Sequence, residues 1–193
     1  MGTVSYEDAL EAVRSRLNAK NAKHSKRVAA TAADLASAYG VDVEEARLAG
    51  ILHDFDRERG GEELLATARG AGLVVSDGDL ANPHLLHSRA GALDARDALP
   101  GLPDAVVQAI SRHTLGAPDM SDLDMVIYLA DMIEPHRDYA GVDDLRAAVG
   151  KSPLRDLFAI AYQQSVCYLV EARRYIHPQT VDVWNWIVSG DRA

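Results

Sequence analysis

Apolar residues recur along this chain at intervals of three and four and almost nowhere in strict alternation. That is the period of helices burying one face, so the chain is read as all-α throughout. Ser5, with Asp8 three residues on, forms a capping-box signature that opens a first helix. A second is predicted from about His24 to Tyr39, where Val28, Ala32, Leu35, Ala36 and Tyr39 keep the helical period and Gly40 is a left-handed terminator. Asp42 and Glu45 cap a third, whose small Ala46, Ala49 and Gly50 offer a flat stripe to a neighbour on the way to His53. A short fourth covers Glu62 to Arg69 and stops at Gly70, and Ala71 to Ala81, with its Gly and Asp residues, reads as a loop. Asn82-Pro83 opens a fifth helix to about Leu99, and Pro103 a sixth that ends near His113. After a loop from Thr114 to Met120, Ser121 and Asp124 cap a helix to Ile133, stopped before Pro135. Ser152-Pro153 begins a long helix to about Tyr175, and Thr180 to Val188 is the last, before Gly190. The one break, Arg146 to Ser152, reads as a linker inside a single domain, 1–193, between a helical core and a C-terminal helical cap, 151–193.

Composition narrows the function. The chain has 193 residues, 48% of them hydrophobic, enough for one domain with a sizeable core. Its net charge of −9 argues against a general nucleic-acid binder and against a polybasic membrane patch. A small anion is a different matter, because it responds to local charge and to bound metal ions. The single cysteine, Cys167, allows no internal disulfide and fits a reducing cytoplasm. It lies in the apolar stretch Val166 to Val170 and reads as buried. The first eight residues lack the basic and apolar regions of a signal peptide, and no apolar run approaches the ~20 residues of a membrane span. The expectation is a cytoplasmic protein without a membrane partner.

Chemistry concentrates in histidine and aspartate. There is no Gly-x-Ser-x-Gly elbow and no phosphate-cradling Gly-x-x-x-x-Gly-Lys loop. Among the seven histidines, His24 opens a helix, His53-Asp54 closes one, His87 lies within one and His113 closes another. Asp131 sits in the apolar run Met125 to Ile133, where a carboxylate needs a partner to offset desolvation. Four imidazoles and two carboxylates suit iron, manganese or zinc rather than a thiolate-seeking metal. Adjacent residues cannot share a helical face, so aiming both His53 and Asp54 inward requires a bend there. His84 shares a face with His87, and Glu134, three residues after Asp131, would orient a ligand or cap the chain. His136 and His177, each beside a proline, read as surface residues. Tyr6, Tyr39, Tyr128, Trp184 and Trp186 read as core aromatics.

The order His24 … His53-Asp54 … His87 … His113 … Asp131 resembles the HD-domain metal-dependent phosphohydrolase superfamily. The local words resemble its YqeK branch. They are Ala49-Gly50-Ile51-Leu52-His53-Asp54, Leu85-Leu86-His87-Ser88, Ala109-Ile110-Ser111-Arg112-His113-Thr114, Tyr128-Leu129-Ala130-Asp131-Met132-Ile133-Glu134-Pro135-His136-Arg137, Gly141-Val142, and the closing Trp184 to Gly190. The resemblance runs from about Tyr6 to Gly190. It implies an HD-domain helical bundle that holds two divalent metal ions, iron or alternatively manganese. Asp54 would bridge them, with His24, His53 and Asp131 at one and His87 and His113 at the other. The activity implied is symmetrical cleavage of diadenosine tetraphosphate to two ADP by a hydroxide held between the metals. Asp54 and Arg57 would be catalytic, with Arg57, Arg89, Thr114 and Arg137 in contact with the nucleotide. The resemblance further implies a homodimer and no nucleic-acid partner. Arg57 stands where the family usually has lysine, and Ala117 and Asp119 alter the loop after His113. An acidic residue beside a phosphate site would weaken anion binding. HD-type di-iron oxygenases use a similar ligand set, so oxygenation is the alternative chemistry. An HD nucleotidase acting on another nucleotide, or a metal-stabilised sensing module without turnover, is the alternative function.

Overall fold

The structure is a computed structural model that describes residues 4–190. The two ends of the single-domain reading, 1–3 and 191–193, lie outside the described residues. The elements are α-helices joined by turns. They are α1 (Tyr6–Arg16), α2 (Ala19–Tyr39), α3 (Val43–Leu52), α4 (Gly61–Gly70), α5 (Asp77–Ala81), α6 (His87–Ala98), α7 (Asp104–Arg112), α8 (Asp122–Ile133), α9 (Val142–Ala148), α10 (Leu154–Glu171) and α11 (Pro178–Ser189). No strand occurs among the described residues.

Side-chain caps account for many of the boundaries. Ser5 and Ser121 form the expected boxes with Asp8 and Asp124. Gly40 closes α2 at φ 73°, a conformation with little steric cost for glycine. Several boundaries differ from expectation. α2 starts five residues before His24, because Asn18 accepts from the backbone N–H groups of Lys20 and Asn21 at 2.9 and 3.0 Å. The first turn it caps is polar and has no apolar period to betray it. The segment 71–81 contains α5, held by a Ser76–Asp79 capping box. The fifth predicted helix is divided, a 3-10 turn at Pro83–Leu86 leading into α6 at His87. α9 is a further short helix, in which only Val142 and Leu145 are buried. α10 ends at Glu171 rather than Tyr175, with Arg173 at φ 52° and the Arg174 N–H closing onto the Leu169 carbonyl at 2.8 Å.

Two residues turn out opposite to the sequence reading. Cys167 is exposed, because its stretch lies on the outer side of α10. His177 is buried, because it caps α11 by accepting from the Gln179 N–H at 3.1 Å. Its ring packs against Gly78 so closely that a Cβ there would lie 2.6 Å away.

One hydrophobic cluster runs through α1, α2, α3, α6, α7, α8, α10 and α11, and a smaller one joins α4 to Leu86 and Ala90. The most extensive helix pairing is α2 along α3. At their crossing a Cβ on Gly50 would sit 2.8 Å from the Ala29 Cα, so only glycine permits this approach. Tyr128 packs against Phe158, with ring centres 5.2 Å apart, and joins α8 to α10. Beyond α8, the Arg146 guanidinium donates to the carbonyls of Ile133, Glu134 and Arg137 at 3.0, 2.8 and 2.8 Å, fixing the turn that leaves the helix. The close α2–α3 crossing and that turn help to bring the ends of five helices, α2, α3, α6, α7 and α8, to one place.

Candidate metal centre

The centre is assembled from helix termini. His53 is the C-cap of α3 and His113 of α7, while His87 begins α6. After Leu52 the chain leaves the helix in successive tight turns, with Phe55, Arg57 and Arg59 N–H groups bonding three residues back at 3.0, 2.9 and 3.1 Å. This is the bend that adjacent His53 and Asp54 require, and it aims both inward. His24 comes from the second turn of α2 and Asp131 from the last turns of α8.

These six side chains converge. Asp54 Oδ1 lies 3.1 Å from His87 Nε2 and 3.6 Å from His113 Nε2. Its other oxygen, Oδ2, lies 3.4 Å from His53 Nε2 and 3.9 Å from His24 Nε2. Asp131 Oδ1 is 3.0 Å from His24 Nε2 and 3.9 Å from His53 Nε2. Each oxygen of Asp54 therefore faces its own pair of histidines.

Hydrogen bonds at the far side of each ring set the tautomers. His53 Nδ1 lies 2.8 Å from the Gly50 carbonyl, His87 Nδ1 2.7 Å from that of His84, and His113 Nδ1 2.7 Å from that of Ile110. A carbonyl only accepts, so each Nδ1 carries the proton and each neutral ring presents a lone pair on Nε2 to the centre. Glu134 plays the same part for His24, with Oε1 3.3 Å from Nδ1. Two consequences point to a cation. His53 Nε2 is fully buried without a hydrogen-bond partner among the described residues, and His87 Nε2 faces His113 Nε2 at 3.3 Å. Buried lone pairs facing one another repel, and a cation between them would remove that cost. The donor set of imidazole nitrogens and carboxylate oxygens fits a divalent metal ion, held from behind by carbonyls and a carboxylate.

The electrostatics agree with that density of carboxylates. Burial works to lower the His53 pKa, and the neighbouring Asp54 and Asp131 overcome it and raise the pKa to about 8. Burial would raise the Asp54 and Asp131 carboxyls, yet the surrounding imidazoles, helped at Asp131 by Arg137, keep both far below the usual carboxylate range. Glu134 is brought down to about 2 against its burial, chiefly by Arg27, which donates to it at 2.6 Å. Behind the His53-Asp54 turn, buried Asp56 accepts from Arg16 and Arg59, and both arginines also reach Asp94 of α6. This square of charges ties the turn to α1 and to the helix that carries His87.

Of the residues read as nucleotide contacts, three border the centre. Arg57 Nη1 is 3.2 Å from His87 Nε2 and 3.9 Å from Asp54 Oδ1. Thr114 Oγ1 is 3.1 Å from His113 Nε2. Arg137 pairs with Asp131 and donates to its carbonyl at 2.7 Å. Arg89 is placed elsewhere, paired with buried Asp79 and with the Val74 carbonyl. Asp119 is exposed and pairs with Arg112 at 3.3 Å, outside the cleft lining. His136 lies on the cleft rim, and the His84 ring stacks on that of His87.

The centre opens into a cleft of about 710 Å³. Its wall includes Lys20, Lys23 and Arg27 of α2, which the sequence reading passed over. A signal was present: of the chain's four lysines, three fall at positions 20, 23 and 26, around His24.

Comparison with known proteins agrees with this architecture. The HD domain profile matches residues 21–135. A symmetrical bis(5'-nucleosyl)-tetraphosphatase of Bacillus subtilis is 34% identical over 97% of this chain and 100% of its own length. One of Halalkalibacterium halodurans is 33% identical over 93% and 95%. A crystal structure from Clostridium acetobutylicum, described as a predicted HD superfamily hydrolase involved in NAD metabolism, superposes with a TM-score of 0.90 at 34% identity, covering 97% of this chain and 99% of that one. With these six histidine and aspartate side chains converged at the helix ends, the HD profile matched over residues 21–135 and relatives spanning nearly its whole length, the chain belongs to the HD domain family.

Proposed function

We propose that this protein is a metal-dependent hydrolase that splits diadenosine tetraphosphate at its central phosphoanhydride, adding one water to give two ADP. The observation that carries the reading is the division of Asp54, one oxygen toward His87 and His113 and the other toward His53 and His24. That arrangement suits a bridge between two divalent ions, iron or manganese. His24, His53 and Asp131 would complete one site, and His87 and His113 the other. Metal ions bound there would supply Lewis acidity toward water and phosphoryl oxygens.

The rest falls to the protein. The carbonyls behind His53, His87 and His113 accept from Nδ1, so each neutral ring would turn its Nε2 lone pair rigidly toward the centre and need little reorganisation during reaction. Arg57, with a partly exposed guanidinium at the Asp54–His87 edge, is placed to hold non-bridging phosphoryl oxygens as negative charge grows on them. Thr114 offers a hydroxyl at the His113 side, and Arg137 a second guanidinium beside Asp131. The departing ADP is a good leaving group, so no side chain is assigned as a strong general acid. The relatives' names favour hydrolysis over oxygenation. The setting proposed is the cytoplasm. Among the described residues no helix is long and apolar enough to cross a membrane.

The test is anaerobic turnover of diadenosine tetraphosphate by protein loaded with iron or manganese, with products separated by ion exchange. ADP as the only nucleotide product is expected. Equal ATP and AMP would overturn symmetrical cleavage, and turnover that requires dioxygen would overturn hydrolysis.

A further inference from the structure

The cleft that leads to the metal centre carries five cationic side chains, Lys20, Lys23, Arg27, Arg57 and Arg137, against three carboxylates, in a chain whose net charge is −9. The five are not equivalent. Arg27 is committed to Glu134, Arg137 to Asp131, and Arg57 lies against His87 and Asp54. Lys20 and Lys23 are exposed and make no side-chain hydrogen bond or ion pair among the described residues. They are the cleft's uncommitted positive charges. Both ride the first turns of α2, whose start is pinned by the Asn18 cap and by Glu58, which accepts from the Asn18 N–H at 2.6 Å. Lys20 precedes His24 by one turn on the same helical face, about 6 Å along the axis.

Resting on the substrate reading above, we propose that Lys20 and Lys23 bind the phosphates beyond the one attacked, and so set the preference for a long polyphosphate chain. The metal-side groups hold the reacting phosphorus and are indifferent to how many phosphates follow. Discrimination by length requires charge at a distance from the metals, and on this wall the free charge is lysine. An ammonium on a flexible stem suits a chain of phosphates whose oxygens differ in position from one substrate to the next, whereas arginine's planar fork favours a single bidentate geometry.

The test compares wild type, the K20Q/K23Q double variant and K26Q. K26Q removes one lysine charge, half of the double variant's loss, from the same helix outside the cleft lining. All three are assayed on diadenosine tri-, tetra- and pentaphosphate at several ionic strengths. For the double variant, KM for the tetraphosphate should rise about tenfold. Its preference over the triphosphate should shrink, and the dependence of KM on salt should flatten. K26Q should follow wild type. A double variant that matches K26Q in KM, length preference and salt dependence overturns the assignment. If wild type cleaves none of the three compounds, the substrate reading falls and the lysines are judged by titrating ADP into the manganese-loaded proteins. A roughly tenfold weaker affinity in the double variant alone then supports the lysine subsite, and equal affinity overturns it.

Discussion

Asp54 and Arg57 sit three residues apart on the same turn and carry different burdens. Asp54 is buried, with both oxygens engaged by histidine nitrogens. Asp54→Asn keeps its shape but removes the charge and one acceptor. Metal content measured by plasma emission should fall, and phosphate turnover should be lost with it. A variant with wild-type metal stoichiometry and rate would show that this carboxylate bridges nothing. Arg57 is half exposed at the cleft, so Arg57→Ala should leave metal content intact while lowering the rate by ~10²–10³-fold, the loss expected on removing one preorganised donor. Arg57→Lys should recover much of that rate, because lysine keeps the charge and loses only the fork. Equal rates in all three proteins would remove Arg57 from the reaction.

At the scale of elements, the α2–α3 crossing is the joint that brings His24 to His53. A methyl at Gly50 would meet the Ala29 backbone at 2.8 Å, and backbone cannot swing aside as a side-chain tip can. Gly50→Ala should therefore destabilise by about 1–3 kcal/mol, as overpacking does, and weaken metal binding by separating the two helices. Denaturant titration and metal titration of the one variant check both parts. The α5 clasp makes a second prediction. Burial works to raise the carboxyl of Asp79, yet Arg89 and the Ser76 backbone and hydroxyl hold it below its ordinary value of 3.8. A depressed pKa stabilises the fold above the unfolded value and ceases to do so as pH falls through the folded one. Asp79→Asn should thus flatten the loss of stability below about pH 4, measured by thermal melts. How legible these elements were depended on their signals. Capping boxes at Ser5 and Ser121 and the glycine at Gly40 are local chemistry, and the sequence displays them. The start of α2, α5 and α9 was hidden because polar or very short helices have no apolar period to read. His177 and Cys167 were misplaced for a related reason, since burial there is decided by which neighbour covers the residue. The six converging histidines and aspartates were legible as types and order, while the lysines, clustered at 20, 23 and 26 in the sequence, could be placed on the cleft wall only once α2 had its true first turn.

For the molecule as a whole, the centre joins residues 24, 53–54, 87, 113 and 131, which belong to five separate segments. Ions bound there, as proposed, would act as cross-links in the folded state and would have no comparable site in the unfolded chain. Stripping them with a chelator should lower the melting temperature, and returning manganese or iron should restore it. A stabilisation of about 2.7 kcal/mol is expected with free metal at 100 times its Kd, and a melting temperature unmoved by chelation would mean that no metal is held. The histidines themselves have a second occupation. His53 and His113 donate Nδ1–H to carbonyls in the last turns of α3 and α7, where carbonyls lack intrahelical partners. The same ring thus finishes a helix on one side and faces the proposed metal site on the other. A descendant of this chain that abandoned catalysis would still be under pressure to keep both histidines as helix stops. Their persistence in a sequence testifies to architecture first, and activity is better judged by the groups with no such duty, Asp54 and the cations of the cleft.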